Sequence, residues 1–166
     1  MSRYLVVLDG ARAEHEMQAN LVGVRDEDAD AQFTLLVPAD RRKFATEGEC
    51  WLEAAQRANH ALETLKSLGL DVAEAIVGDF LRRKAISDEL GRGEHRYDAI
   101  LLFTVPYSRG MDVSRIVPAD ISSQLERRHR LPVRHITVGG GAGPRPDSWF
   151  TRRLQDLKYA SLSQRN

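Results

Sequence analysis

Three stretches of this sequence hold residues able to do chemistry, and each is tied to an apolar run. Asp9 ends YLVVLDG (4–10), Val37 lies in QFTLLVPAD (32–40), and TVPYSRGMDVSRIVPADISSQ (104–124) overlaps the end of YDAILLFTV (97–105). The turn from a buried strand into a helix is where α/β proteins usually bind phosphate. A helix N-terminus offers unpaired N–H groups and the positive end of a dipole. The third stretch has a single glycine, Gly110, where such turns are normally glycine-rich. Arg109 and Gly110, with a hydroxyl from Ser122 or Ser123, would make a rebuilt anion nest. The alternative is an ordinary surface loop in which Arg109 pairs with Asp112. Asp120 argues against a phosphate. A carboxylate in the first turn stabilises a helix by about 0.3–1 kcal/mol and repels a second anion.

Asp9 has two readings, a carboxylate turned toward a ligand and a turn residue that bonds nearby backbone N–H groups. Val37 could line a pocket through its backbone, and as a buried strand residue it needs no function. Other chemistry finds little support. His15, His60, His95, His129 and His135 are scattered, with no pair at zinc-site spacing, so no metal is expected. Cys50 stands alone beside Trp51 and reads as buried or indifferent. There is no P-loop, no G-x-G-x-x-G after the first strand, and no G-x-S-x-G elbow around Ser122 or Ser123. The expectation is a protein that is not an enzyme. Arg127, Arg128, Arg130 and Arg134 gather around His129 in LERRHRLPVRH, but no aromatic residues alternate with them. They read as the cationic end of a solvated helix rather than a nucleic-acid surface.

The balance of charge agrees. Lys plus Arg and Asp plus Glu are 24 each, so no net field draws the chain to nucleic acid or anionic lipid. A lone cysteine excludes an internal disulfide and fits a reducing cytoplasm. The N-terminal apolar stretch is too short for a secretory signal, and no run approaches the ~20 apolar residues of a membrane span.

The elements that must position these residues alternate regularly. Strands are expected at 4–10, 32–40, 71–79, 97–105 and 133–139. Helices are expected between 11 and 31, over 48–68 with Gly69 as its cap, from 80 to 91 with Asp79 as N-cap and Leu81, Ala85, Ile86 and Leu90 facing inward, and from Pro118 to 130. Alternating strands and helices argue for a doubly wound α/β domain: a five-stranded parallel sheet with helices on both faces. Ligands of such sheets sit at the carboxyl ends of the strands, where the strand order reverses. Residues 1–138 form this domain, 139–148 a Gly/Pro-rich linker, and 149–166 a C-terminal helical tail.

In their order and spacing, YLVVLDGARAEHEM, VAEAIVGDFLRRKAISDELGRGEHRYDAILL and DVSRIVPADISSQLERRHRLPVRHITV resemble the universal stress protein family over residues 3–138. The resemblance implies a five-stranded parallel sheet, frequent dimerisation through the last strand and, in one branch, ATP or AMP held by G-x2-G-x9-G-[ST] after the fourth strand. It also implies that Asp9 corresponds to a position near adenine and ribose. Here Phe103 and Pro106 stand where the first two glycines would be sought, and Ala119 and Asp120 where the final Gly-Ser would fall. The nucleotide motif is not preserved.

The resulting expectation is a non-catalytic, cytoplasmic stress-response protein of universal-stress type. It would be a homodimer through the fifth strand or the tail and would act through a partner or small ligand, without ATP. The alternative is an ATP- or AMP-binding member with a remodelled phosphate loop and slow ATP hydrolysis. A hydrolase or ligase of the wider adenine-nucleotide α-hydrolase fold would need the glycine-rich loop after the first strand that this chain lacks.

Overall fold

A computed structural model describes residues 1–10, 14–41, 45–93, 96–105 and 121–137, apart from the side chain of residue 15. The expectations placed on 106–120, including Arg109, Gly110 and Asp120, and on the linker and tail fall outside the described residues.

Five strands, β1 (Arg3–Asp9), β2 (Gln32–Pro38), β3 (Asp71–Gly78), β4 (Ala99–Thr104) and β5 (Val133–Thr137), form one sheet in the order β3-β2-β1-β4-β5. Every pairing is parallel. Helices α1 (Glu14–Glu27), α2 (Glu47–Ser67), α3 (Arg82–Gly91) and α4 (Ile121–His129) connect them in turn. The chain moves outward from β1 through β2 to β3, then returns to β4 on the other side of β1. The order therefore reverses between β1 and β4, and a crevice belongs at their carboxyl ends.

Side-chain alternation divides the core into two layers. Tyr4, Val6 and Leu8 of β1, Phe33, Leu35 and Val37 of β2, and Ala99, Leu101 and Phe103 of β4 pack with Met17 and Leu21 of α1 and Ala54, Ala58 and Leu65 of α2. Leu5, Val7, Leu36, Ile100, Leu102 and Val133 pack on the opposite face with Ala85 and Ile86 of α3 and Ile121 and Leu125 of α4. Because both faces are covered, β1 and β4 carry no polar alternation, and their continuous apolar runs are the sequence signature of that burial.

α3 is held at three points. At Gly78 an added Cβ would lie 2.6 Å from Cβ of Ala85 and 3.0 Å from Cδ1 of Leu36, so the absent side chain lets the helix sit directly on the sheet. Near the other end, Tyr97 donates a 2.6 Å hydrogen bond to the buried Glu89. The third contact, at Arg82, belongs to the site described below.

Two details of α3 differ from expectation. Leu81, not Asp79, is the N-cap residue and makes no side-chain cap bond; the Asp79 carboxylate instead accepts from Leu81 N–H at 2.9 Å, just ahead of the helix. Leu81 is 67% exposed rather than inward-facing, because the close seat at Gly78 turns Ala85 and Ile86 to the sheet and leaves the cap position outside. Elsewhere the helix over 48–68 runs Glu47–Ser67, begun by a capping box in which Thr46 and Glu49 satisfy each other's backbone N–H groups.

Candidate functional site

The same alternation places the polar residues at the carboxyl end of the sheet. Asp9 continues the series Leu5, Val7, Asp9, and Thr104 continues Ile100, Leu102, Thr104, so both fall on the α3/α4 face; they are register neighbours. His135 follows Val133 by two and lies on that face of β5, where its Nε2 and the Thr104 hydroxyl share a hydrogen bond of 2.7 Å. Ser122 is half-buried in the first turn of α4, the helix that covers this face. Val37, fully buried, faces the other way. Asp9 and Val37 are therefore brought to one end of the sheet but on opposite faces.

The β1–β2 register ends at Val7↔Leu36, while β2 runs on beside β3 through Val37↔Val77 and Pro38↔Gly78. β2 therefore parts from β1 at Val37, on the side of β1 away from β4.

Arg82, the first residue of α3, reaches Asp9 across 73 positions of sequence, and its Nη2 donates to Asp9 Oδ2. The Arg82 side chain is 16% exposed and that of Asp9 29%. Burial, then the adjacent Arg83 charge, push the Arg82 pKa down to about 10, so the guanidinium is charged at neutral pH. Its Nε is buried and has no hydrogen-bond partner among the described residues. His135 lies close enough to feel this charge. Its pKa is lowered from 6.5 by burial first and by Arg82 second, which favours the neutral ring at physiological pH.

Beside Asp9, an apolar side chain packs against Gly10. Gly10 has φ of +103°, and a Cβ built on it would stand 2.5 Å from Cγ2 of Val105. Only glycine fits there, on both counts. Val105, the residue after β4, thus lies against the turn that follows β1. Phe103, at a place where a phosphate-loop glycine would be sought, is a fully buried core residue of β4 paired with Leu8 and Ile136.

Of the polar residues gathered at this end of the sheet, Asp9 is the one singled out by the sequence; Arg82, Thr104 and His135 are not. A signal for Arg82 was present. The first turn of α3 holds Arg82, Arg83 and Lys84 with no acid, against the preference of a helix N-terminus for negative charge. A local rule broken in that way points to a tertiary partner.

Comparison with solved structures places the fold. An AMP-bound universal stress protein family protein from Arabidopsis thaliana superposes with a TM-score of 0.50 at 15% identity, covering 88% of this chain and 97% of that one. The fold is that of the universal stress proteins. Two further similar structures are a universal stress protein from Archaeoglobus fulgidus, with TM-score 0.49, 14% identity and coverage of 82% and 93%, and a universal stress protein family protein from Burkholderia pseudomallei, with 0.48, 18%, 81% and 95%. No family model and no curated protein matches the sequence. Within the universal stress fold, the carboxyl ends of β1 and β4 in this chain hold an internal ion pair and a valine side chain.

Proposed function

We propose that this chain is a universal-stress-type protein of the stress response that acts without catalysis, through a partner or a small ligand, and does not hold ATP tightly. Its setting in this reading is the cytoplasm, and its working form a homodimer through β5 or the C-terminal tail. One observation supports the reading above others. The Asp9 carboxylate at the switch point is engaged by Arg82 of the same chain. A ligand hydroxyl or amine bound there would have to displace a guanidinium that is itself mostly buried, and a buried charge stripped of its partner is costly.

Thermal unfolding with ATP and AMP tests this. A ligand present at 100 times its Kd adds ~2.7 kcal/mol of stability, which shifts Tm by several degrees. The expected result is an unchanged Tm at about 100 μM nucleotide, as for a Kd in the millimolar range or weaker. Micromolar ATP affinity in calorimetry would overturn the reading.

The second reading, an ATP- or AMP-binding protein with a remodelled phosphate loop and slow hydrolysis, draws on the AMP held by the Arabidopsis protein of the same fold. The same titration decides between the two.

A further inference from the structure

We propose that Arg82 is the specificity-determining residue of the carboxyl-end site: its guanidinium stands at Asp9 in place of a ligand and excludes molecules that would bring hydroxyl donors to that carboxylate. The inference rests on the reading of Asp9 as the ligand-facing carboxylate and assigns its exclusion to one side chain. Three observations carry it. Asp9 and Thr104 end adjacent strands at the point of order reversal, where a ligand of this fold class belongs. Arg82 reaches Asp9 from the start of α3 and is mostly buried in doing so. The seat of α3 on Gly78 brings that helix down onto the sheet, so Arg82 starts from a closely packed element rather than a loop.

The arrangement does not resemble a cation waiting for an anion. Arg82 is already paired through Nη2, with Nε left unpartnered among the described residues, the Asp9 charge beside it opposes an incoming phosphate, and Thr104 and His135 are bonded to each other. A nucleoside offering ribose hydroxyls would compete for Asp9 and leave Arg82 buried without its counterion. Removing the guanidinium while keeping an apolar stem of similar length therefore opens the carboxylate without collapsing the space around it.

Calorimetric titration of the full chain with adenosine and with AMP tests the assignment. In Arg82→Met the affinity for both probes is expected to rise at least tenfold over wild type, with Asp9→Asn/Arg82→Met losing that gain. Arg82→Lys keeps a cation against Asp9 and is expected to stay within about threefold of wild type. Circular dichroism and urea unfolding establish that each variant is folded, and Arg82→Gln serves if the methionine variant is not.

Equal affinity of wild type and both charge-removed variants would overturn the proposal. So would a gain that survives the loss of Asp9, or weaker AMP binding in Arg82→Met, which would make Arg82 a phosphate contact. The absolute affinity of the wild type judges the proposed function. The ratio of variant to wild type judges Arg82, so the two fail separately.

Discussion

Arg82 and His135 show how single side chains acquire properties that their types do not supply. The guanidinium is paired with the Asp9 carboxylate, and after burial its charge also helps to hold the half-buried His135 neutral. A pH dependence follows. In the unfolded chain the histidine takes a proton near its ordinary pKa of 6.5, while in the folded chain it does so only at lower pH. Stability is therefore complete above about pH 7, declines as pH falls through 6.5, and levels off below the folded pKa. His129, lowered by burial and then by Arg128, acts with the same sign. Urea unfolding from pH 5 to 8 is expected to show this decline, and His135→Gln to reduce it. An identical pH slope in that variant would show that His135 does not contribute.

At the scale of elements, α3 is placed by tertiary contacts more than by its own preferences. Its first turn is basic, its N-cap makes no side-chain bond, and its grip comes from Gly78, Arg82 and Glu89. Gly78→Ala puts a methyl within 2.6 Å of Cβ of Ala85. It is expected to destabilise the fold by about 1–3 kcal/mol, the usual range for overpacking. By contrast α2 carries its own start signal. Thr46→Ala removes the capping box and is expected to cost about 0.5–2 kcal/mol. Denaturant melts of both variants check these values, and a Gly78→Ala protein as stable as wild type would mean that α3 can shift freely on the sheet.

The contrast explains what could be read. The apolar stripe of α2 and its Gly69 cap are local patterns, and the helix lies within one residue of its expected limits at each end; its capping box, Thr46 and Glu49 three apart, is equally local though no expectation named it. Asp79 looked like an N-cap on the same kind of evidence, and failed because it accepts from Leu81 one step ahead of the helix. Such competition between a turn and a cap is settled by where the helix docks.

At the scale of the whole molecule, the strand order leaves β3 and β5 at the edges of the sheet among the described residues. An exposed edge invites pairing, and proteins cover such edges or blunt them. Under the proposed dimer, β5 meets β5 of a second copy or is covered by the tail. Light scattering is expected to give a dimer for the full chain. A chain ending at Gly140 remains dimeric if β5 forms the interface and becomes monomeric if the tail does. A monomer in both cases removes the dimer from the proposed function.

The sequence by itself determined the layered α/β plan, because strands buried on both faces must be continuously apolar and the helices between them must carry one apolar stripe. YLVVLDG and YDAILLFTV state this without any knowledge of neighbours. It also marked Asp9, since the end of a buried strand is recognisable along the chain. What only the tertiary structure decided is the company Asp9 keeps. Arg82 and Asp9 are 73 residues apart, and Thr104 and His135 are 31 apart. Their meeting depends on strand order, on the parity of side chains about the sheet, and on the seat of α3 against Gly78, none of which is encoded in a local window.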